Sequence, residues 1–174
     1  MRNLEYKARI DDPKPLMARA RALGFDLWGD LRQTDTYFAT PRGRLKLRET
    51  AGFQAELIFY ERDEHGADRA SDYEVAHSNE PDALRGLLAA ALGVLATVKK
   101  RRTLLVLDGT RVHLDNVEGL GAFMEIEVPV SDGDAPARER LQWLLGELGL
   151  SWEECIRASY HDLTIGSGQR MGSG

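Results

Sequence analysis

The chain has 174 residues, of which 43% are hydrophobic, and this is enough for one domain with a sizeable core. Its 23 basic and 28 acidic residues give a formal net charge of −5, which disfavours binding to nucleic acid over the whole surface. An anionic ligand must therefore meet a local cluster of positive charge. The single cysteine excludes an internal disulfide framework, and no apolar run approaches the roughly 20 residues of a membrane-spanning helix. Because no basic-then-apolar signal pattern opens the chain, we expect a cytoplasmic protein that does not contact membranes.

In chain order, eight segments alternate apolar and polar residues, as is typical of strands bounded by turn residues. They are 3–10, 33–39, 43–49, 54–62, 71–77, 97–107, 110–117 and 122–130. Amphipathic patterns that end at glycine predict helices at 13–23, 81–92 and 135–148, and a fourth short helix is expected around 151–157. Residues 166–174 have no apolar periodicity and are predicted to be a flexible tail after a single domain of residues 1–165.

Strands joined mainly by tight turns predict an α+β fold. We expect an antiparallel sheet of about eight strands, either closed into a β-barrel or strongly curved, with the helices packed on its outside. The helix at 81–92 is rich in leucine and alanine, and we interpret it as a cover for the apolar outside of the barrel, with a homodimer contact as the alternative. Trp28, Trp143 and Trp152 are interpreted as packing residues.

At least five predicted strands carry several charges on one face and apolar residues on the other. In RLKLR at 44–48, for example, three basic residues alternate with two leucines. Such strands fit an open sheet with a charged side in water, and they also fit a closed barrel whose charged side lines the interior. In the run VKKRRT, either Lys99 with Arg101 or Lys100 with Arg102 faces the interior, and alternation does not decide between the pairs.

In a closed barrel, the interior would combine basic and acidic side chains. Ammonium and guanidinium groups bind phosphate oxygens, whereas carboxylates bind Mg²⁺ or Mn²⁺, which in turn bridge phosphate oxygens. The basic residues are Lys7, Arg9, Lys46, Arg48, Arg102 and Arg111, and the acidic residues are Glu5, Glu74, Asp115, Glu125 and Glu127. One cavity with both sets is typical of a site for a metal-bound polyphosphate.

Several motifs together resemble those of the CYTH family, the triphosphate tunnel metalloenzymes. They are NLEYKAR near the N-terminus, LKLR after a Gly-Arg turn, the KKRR run, the LD of TRVHLDNV, and LGAFMEIEV. The resemblance extends from Asn3 to SYHDL at 159–163. It implies an eight-stranded antiparallel tunnel that binds a triphosphate through basic residues and one or two divalent cations, Mg²⁺ or Mn²⁺, through acidic residues. The family includes class IV adenylate cyclases, thiamine triphosphatases and inorganic triphosphatases, and this sequence looks most similar to the bacterial cyclase-like members.

The strand faces and the resemblance together predict roles for individual residues. Catalytic roles fall on Glu5, Lys7 and Arg48; triphosphate binding falls on Lys7, Arg9, Lys46, Arg48, Arg62, Lys100, Arg102 and Arg111; metal binding falls on Glu5, Glu74, Asp115, Glu125 and Glu127. The family's N-terminal ExExK motif matches Asn3, Glu5 and Lys7, so an amide stands where the family has its first glutamate. Since an amide offers a metal one neutral oxygen and no charge, this metal position is expected to be weakened, lost or supported by Glu125 and Glu127.

The implied substrate is a small molecule that carries a triphosphate, such as a nucleotide. If the ribose 3′-hydroxyl of ATP attacks the α-phosphorus, the products are cyclic AMP and pyrophosphate; if water attacks the terminal phosphorus, orthophosphate is released. His113 shares a face with Arg111 and Asp115 and is a candidate base, although a lone strand histidine is more often a structural hydrogen-bonding residue. Two other interpretations are a nucleotide- or polyphosphate-binding module without turnover, and a scaffold whose charged face is only solvated.

Overall fold

Eight strands form one closed antiparallel barrel in the computed structural model, which describes residues 1–62, 70–131 and 133–171. The strands are β1 (Arg2–Arg9), β2 (Asp26–Phe38), β3 (Arg44–Thr50), β4 (Ala55–Arg62), β5 (Ala70–Ser78), β6 (Val94–Leu107), β7 (Thr110–Val117) and β8 (Gly121–Pro129). Their order around the barrel is β1-β5-β4-β3-β2-β6-β7-β8, and pairing of β1 with β8 closes it. The predicted α+β barrel is therefore confirmed.

The helices are α1 (Pro13–Ala22), α2 (Pro81–Leu92), α3 (Asp134–Leu148) and α4 (Tyr160–Met171). The Asp12 side chain caps α1 by accepting a hydrogen bond from the backbone N–H of Lys14, and α3 ends at Gly149, whose φ of 70° favours glycine. Helices α1 and α3 bury their leucine and alanine faces against the outward side chains of β1, β7 and β8. This is the main apolar core, and it lies outside the barrel.

Helix α2 packs more lightly than the other two. Leu84 and Leu88 contact the small core around Phe38 and Leu47, as expected of a cover for the barrel, but no residue of α2 is buried. Leu87 on its other face is 66% exposed. A homodimer contact through this helix stays a prediction.

A second apolar cluster closes one end of the barrel. It joins inward-facing strand residues to the first residue of α4, and its buried members are Tyr37, Ile58, Tyr60, Val98, Val117, Leu120, Phe123 and Tyr160. The Tyr160 ring packs edge-on against Phe123 with 5.1 Å between ring centroids. The opposite end, at the turn between β3 and β4, gives access to the interior and is here called the mouth.

Three local features differ from the predictions. Strand β2 begins at Asp26 rather than near 33, because a bulge at Trp28 interrupts the alternation of its first half. The expected helix at 151–157 is a single 3₁₀ turn, Trp152–Glu154. Helix α4 was not predicted, since its sequence is short of apolar residues, and it continues to Met171 through residues assigned to a flexible tail. The domain boundary at 165 stays a prediction. None of the helices in the described ranges has the length and apolarity needed to cross a membrane.

Candidate active site

Inward-facing side chains from all eight strands surround a cavity of about 650 Å³ inside the barrel. This volume is typical of small-molecule sites. The ionisable groups on its wall are Glu5, Lys7, Lys46, Arg48, Glu56, His77, Lys100, Arg102, Arg111, His113, Glu125 and Glu127, together with four tyrosines, Tyr37, Tyr60, Tyr73 and Tyr160. Of the two predicted arrangements, the chain therefore adopts the closed barrel with a charged interior.

The register of β1, β8 and β7 aligns charged residues in two rows across one part of the wall. Nearer the mouth, Glu5 lies opposite Glu127, which lies opposite Arg111. Deeper in the barrel, Lys7 lies opposite Glu125, which lies opposite His113. Ion pairs connect the strands: Lys7 Nζ is 3.0 Å from Glu125 Oε1, and Arg111 Nη2 is 2.6 Å from Glu127 Oε2. The two-residue period of each strand thus brings two carboxylates side by side.

A cationic cluster around Asp35 occupies another part of the wall, on β2, β3 and β6. Arg48 donates two hydrogen bonds of 2.8 Å to the Asp35 carboxylate, Nε to Oδ1 and Nη2 to Oδ2. Lys100 donates to Oδ2 at 2.9 Å and Lys46 at 3.3 Å. Because one carboxylate neutralises only one of the three cations, the cluster keeps an excess of positive charge, which suits a polyanion.

Burial sets the protonation of this cluster. Burial alone would raise the pKa of Asp35, but Arg48, Lys100 and Lys46 hold that pKa well below its ordinary value, so the carboxylate is ionised. Burial and the charge of Arg48 lower the pKa of Lys46 to about 7, although Asp35 partly opposes the shift. Burial likewise lowers the pKa of Lys100 to about 8. The ammonium groups of Lys46 and Lys100 therefore titrate near neutral pH.

Arg102 connects the cationic cluster to the carboxylates. Its Nε donates to Asp115 Oδ1 at 2.7 Å, and its Nη2 donates to Glu125 Oε2 at 2.6 Å. Asp115 is fully buried behind it and also accepts a hydrogen bond of 2.9 Å from the hydroxyl of Tyr160. Asp115 was expected to bind metal, but it is not on the cavity wall, because Arg102 and Tyr160 occupy its oxygens. It serves instead as the anchor of Arg102.

His113, Glu125 and Glu127 form a group that could hold a divalent cation, with one ligand atom from each lying within 4.8 Å of the others. His113 Nδ1 is buried and makes no hydrogen bond in the described part of the chain; it lies 3.6 Å from Glu125 Oε2 and 3.7 Å from Glu127 Oε1, beyond hydrogen-bond range. An imidazole nitrogen beside two carboxylates is a donor set that can hold a divalent cation.

Both carboxylates of this group are ionised. Burial alone would raise the pKa of Glu125, but Lys7 and Arg102 hold it well below its ordinary value. Burial alone would also raise the pKa of Glu127, but His113, Arg111 and Arg102 lower this pKa to about 2. A cation that binds here meets two formal negative charges already in place, and it competes with the surrounding basic side chains for them.

Two residues assigned to the site from sequence lie elsewhere. Glu74 is exposed on the outside of the barrel, so its assignment to the metal set is corrected: on β5 it is Tyr73 and Val75 that face the cavity. The expectation failed because this strand reverses the usual pattern, with apolar residues inward and charges in solvent. Arg9 is exposed at the closed end, where its guanidinium packs over Phe123 at 4.7 Å, away from the cavity wall.

The structure also places the basic residues of β6 and the residue that replaces the first family glutamate. Lys100 and Arg102 face the cavity, whereas Lys99 and Arg101 are exposed outside, which decides the alternative left open by the sequence. The side chain of Arg62 lies outside the described residues. Asn3 is buried on the cavity wall, and in the amide orientation that satisfies both of its polar groups, its oxygen accepts a hydrogen bond of 2.9 Å from Arg111 Nη2.

Three contributors to the site were missed from the sequence. Asp35 could have been found from the alternation in LRQTDTYF, where it shares the inward parity of Leu31 and Gln33. Tyr160 reaches the cavity only through the packing of α4, and its ring lies 4.0 Å from Lys7 Nζ. Trp28, interpreted above as a packing residue, is 55% exposed on the cavity wall at the mouth.

Comparisons with known proteins agree on one family. The CYTH domain matches residues 1–160. Adenylate cyclase CyaB of Aeromonas hydrophila is 24% identical over 173 residues, which cover 92% of this chain and 87% of that protein. The solved structure of PH1012 from Pyrococcus horikoshii superposes with a TM-score of 0.84 at 22% identity, covering 92% of this chain and 98% of that one.

Another solved structure has the same fold and a different activity. HpAC1 of Hippeastrum is an adenylyl cyclase candidate with a dominant triphosphatase activity. It superposes with a TM-score of 0.60 at 18% identity, covering 90% of this chain and 92% of that one. At such identity the likeness shows the fold alone.

Proposed function

We propose that this chain, which belongs to the CYTH family, is a divalent-metal-dependent enzyme that converts ATP to cyclic AMP and pyrophosphate inside its barrel. The observation that carries the proposal is the presence, around the cavity of one closed barrel, of the cationic cluster around Asp35 and of the carboxylate–imidazole group of His113, Glu125 and Glu127. The name of the Aeromonas relative supports the cyclase reaction within the family.

The cationic cluster binds the triphosphate. Arg48 is a planar fork that holds two phosphate oxygens, while Lys46 and Lys100 add compact charges beside it. Asp35 fixes all three cations against the wall, so little side-chain freedom is lost when the ligand binds. The substrate is thereby oriented along the barrel before any bond changes.

The carboxylates and imidazole on another part of the cavity wall would hold the metal, and Lys7 beside them would stabilise the leaving group. Glu125, Glu127 and His113 would hold Mn²⁺ or Mg²⁺, which when bound supplies positive charge to the phosphate oxygens. Glu5, opposite Glu127 in register, adds a further carboxylate at the edge of this group. Lys7 is held by Glu125 and by the backbone carbonyl of Ala158, and its ammonium faces the same cavity.

In the cyclase reaction, the ribose 3′-oxygen bonds to the α-phosphorus while the bond from that phosphorus to the departing pyrophosphate breaks. The hydroxyl proton leaves to a base, and the negative charge moves onto pyrophosphate. Lys7 and the cationic cluster stabilise that charge in a cavity closed to bulk water at one end. Catalysis of this kind depends on alignment and charge neutralisation, and it needs no covalent enzyme intermediate.

A second candidate is triphosphate hydrolysis, in which water attacks the terminal phosphorus and orthophosphate is released. It is supported by the dominant triphosphatase activity of the Hippeastrum protein, which shares the fold. The same cationic cluster and metal group would serve this reaction, because both reactions need the triphosphate neutralised and aligned.

Product analysis tests the proposal. Purified protein is incubated with ATP or inorganic triphosphate and with Mn²⁺, Mg²⁺ or EDTA, and the products are separated and identified. We expect cyclic AMP and pyrophosphate from ATP with either metal, none with EDTA, and at least as much with Mn²⁺ because imidazole belongs to the donor set. Orthophosphate in their place would move the assignment to the triphosphatase. Turnover in EDTA would contradict the metal dependence, and absent turnover would contradict an enzyme of either kind.

Two glutamine variants sharpen this test. Glu127→Gln removes one charge from the metal group and is expected to abolish turnover, whereas Glu74→Gln is the matched control on the outside of the barrel and is expected to retain it. Equal activity of the two variants would contradict the placement of the metal. A cytoplasmic location stays a prediction.

A further inference from the structure

Two large aromatic side chains meet at the mouth of the cavity. Trp28 on β2 is 55% exposed and Phe53 in the β3–β4 turn is 57% exposed, and both lie on the cavity wall. Their ring centroids are 5.7 Å apart and the rings are inclined by 35°. Single exposed aromatics are common on protein surfaces, but two that converge at the entrance of a charged cavity are not explained by packing.

The backbone turns Trp28 toward the cavity. Leu27 pairs with Leu105, but Gly29 pairs with Leu104, so Trp28 is the extra residue of a β-bulge. By plain alternation from Leu31 and Gln33, which face inward, Trp28 would point outside. The bulge lets Trp28 and Gly29 both stand opposite Leu104, whose side chain is on the cavity wall. Bulges commonly redirect a side chain in this way near functional sites.

A tight turn presents Phe53 to the same space. The backbone N–H of Phe53 donates to the carbonyl of Thr50 at 3.0 Å, and Gly52 between them has a φ of 84°, which glycine adopts without strain. Phe53 thereby faces the mouth rather than the main core, and it belongs to none of the three buried apolar clusters. A ligand in the cavity is the partner that can cover both rings.

We propose that Trp28 and Phe53 bind the flat aromatic ring attached to the triphosphate and are thereby the residues that select an organic triphosphate over inorganic triphosphate. The inference rests on the proposed function, which places the triphosphate on Arg48, Lys46 and Lys100 deeper in the same cavity. An aromatic ring that extends toward the mouth stacks on the exposed rings, and such stacking tolerates different ring systems because each has a π-face. The ring of a nucleotide and the rings of a thiamine ester share this chemistry.

Equilibrium binding tests the inference without turnover. Titrations in EDTA compare ATP, thiamine triphosphate and inorganic triphosphate, and the quantity examined is the ratio of affinities for an organic and for the inorganic triphosphate. Loss of one stacking partner is expected to lower this ratio about tenfold in Trp28→Ala and in Phe53→Ala. Trp143→Ala is the matched control: its ring is 41% exposed on α3, away from the cavity, and the ratio should equal that of the wild type. The site accepts the ring of the organic compound, ATP or thiamine triphosphate, whose affinity relative to inorganic triphosphate falls more in the two mouth variants.

Fluorescence provides a second readout. The aromatic ligand should quench the emission of Trp28, inorganic triphosphate should not, and the difference should vanish in Trp28→Ala. An unchanged ratio in both mouth variants, or an equal loss for all three ligands, would overturn the inference while the proposed function stands. Binding of none of the three ligands to the wild type, either in EDTA or with Mn²⁺, would overturn the proposed function itself, and the inference with it.

Discussion

The substitution Asp35→Asn tests how the cationic cluster is held together. It keeps the size of the side chain and removes the only negative charge that Arg48, Lys46 and Lys100 share within hydrogen-bond distance in the described structure. The Asp35 side chain is 0% exposed, so water does not replace it. Removing one partner of a buried ion pair costs roughly 3–5 kcal/mol. At about 2–4 °C of melting temperature per kcal/mol for a domain of this size, the melting temperature should fall by about 6–20 °C.

Thermal unfolding with and without inorganic triphosphate measures the effect. The matched control is Asp26→Asn, whose carboxylate is 93% exposed and lies 3.5 Å from Arg21, and which should change the melting temperature by less than about 2 °C. Inorganic triphosphate should stabilise Asp35→Asn more than the wild type, because the ligand supplies the missing negative charge. If Asp35→Asn melts no lower than the Asp26→Asn control, the role assigned to Asp35 is wrong.

Two further substitutions test the protonation of Lys46 and the affinity of the carboxylate–imidazole group for Mn²⁺. Because burial lowers the pKa of Lys46 to about 7, this ammonium is partly deprotonated in the free protein at neutral pH, and a bound anion must raise its pKa. Triphosphate binding should therefore take up protons and weaken as the pH rises from about 7 to 9. Calorimetry in buffers of different ionisation enthalpy measures the number of protons taken up. If Lys46→Met takes up as many protons as the wild type, Lys46 is not the group that is protonated on binding. Asn3→Glu restores the family glutamate beside Arg111 and should release Glu127 from that guanidinium, so that Mn²⁺ binds about tenfold more tightly by calorimetric titration. Unchanged or weaker Mn²⁺ binding would show that Asn3 does not limit the metal group.

Alternation predicted the strands and much of the barrel interior, because each half-buried strand separates its residues by face, whereas the closure of the sheet into a barrel was implied by the family resemblance. It placed Lys46 and Arg48 on one side of β3 and Glu125 and Glu127 on one side of β8, and the structure puts all four on the cavity wall. The method failed at Glu74, because periodicity shows that a strand has two faces and does not show which of them turns inward.

Other parts of the site depend on contacts between distant segments. The register of β6 on β2 and β7 decides that Lys100 and Arg102 face inward, and a run of four basic residues contains no such information. Tyr160 reaches Asp115 because α4 covers the end of the barrel, which no local pattern predicts. The orientation of Trp28 follows from one extra residue in β2, whose alternation alone predicts the opposite face.

The binding of triphosphate to two neighbouring lysine variants tests the central claim most directly. Lys100 is 5% exposed inside the barrel, whereas Lys99, the preceding residue, is exposed outside it. Calorimetric titration with inorganic triphosphate and Mn²⁺ should give one site per chain in the wild type. Loss of one charge-assisted contact in Lys100→Met should weaken binding about 10- to 100-fold, and Lys99→Met should bind within about twofold of the wild type. Equal affinities for the two variants would contradict a triphosphate site inside the barrel.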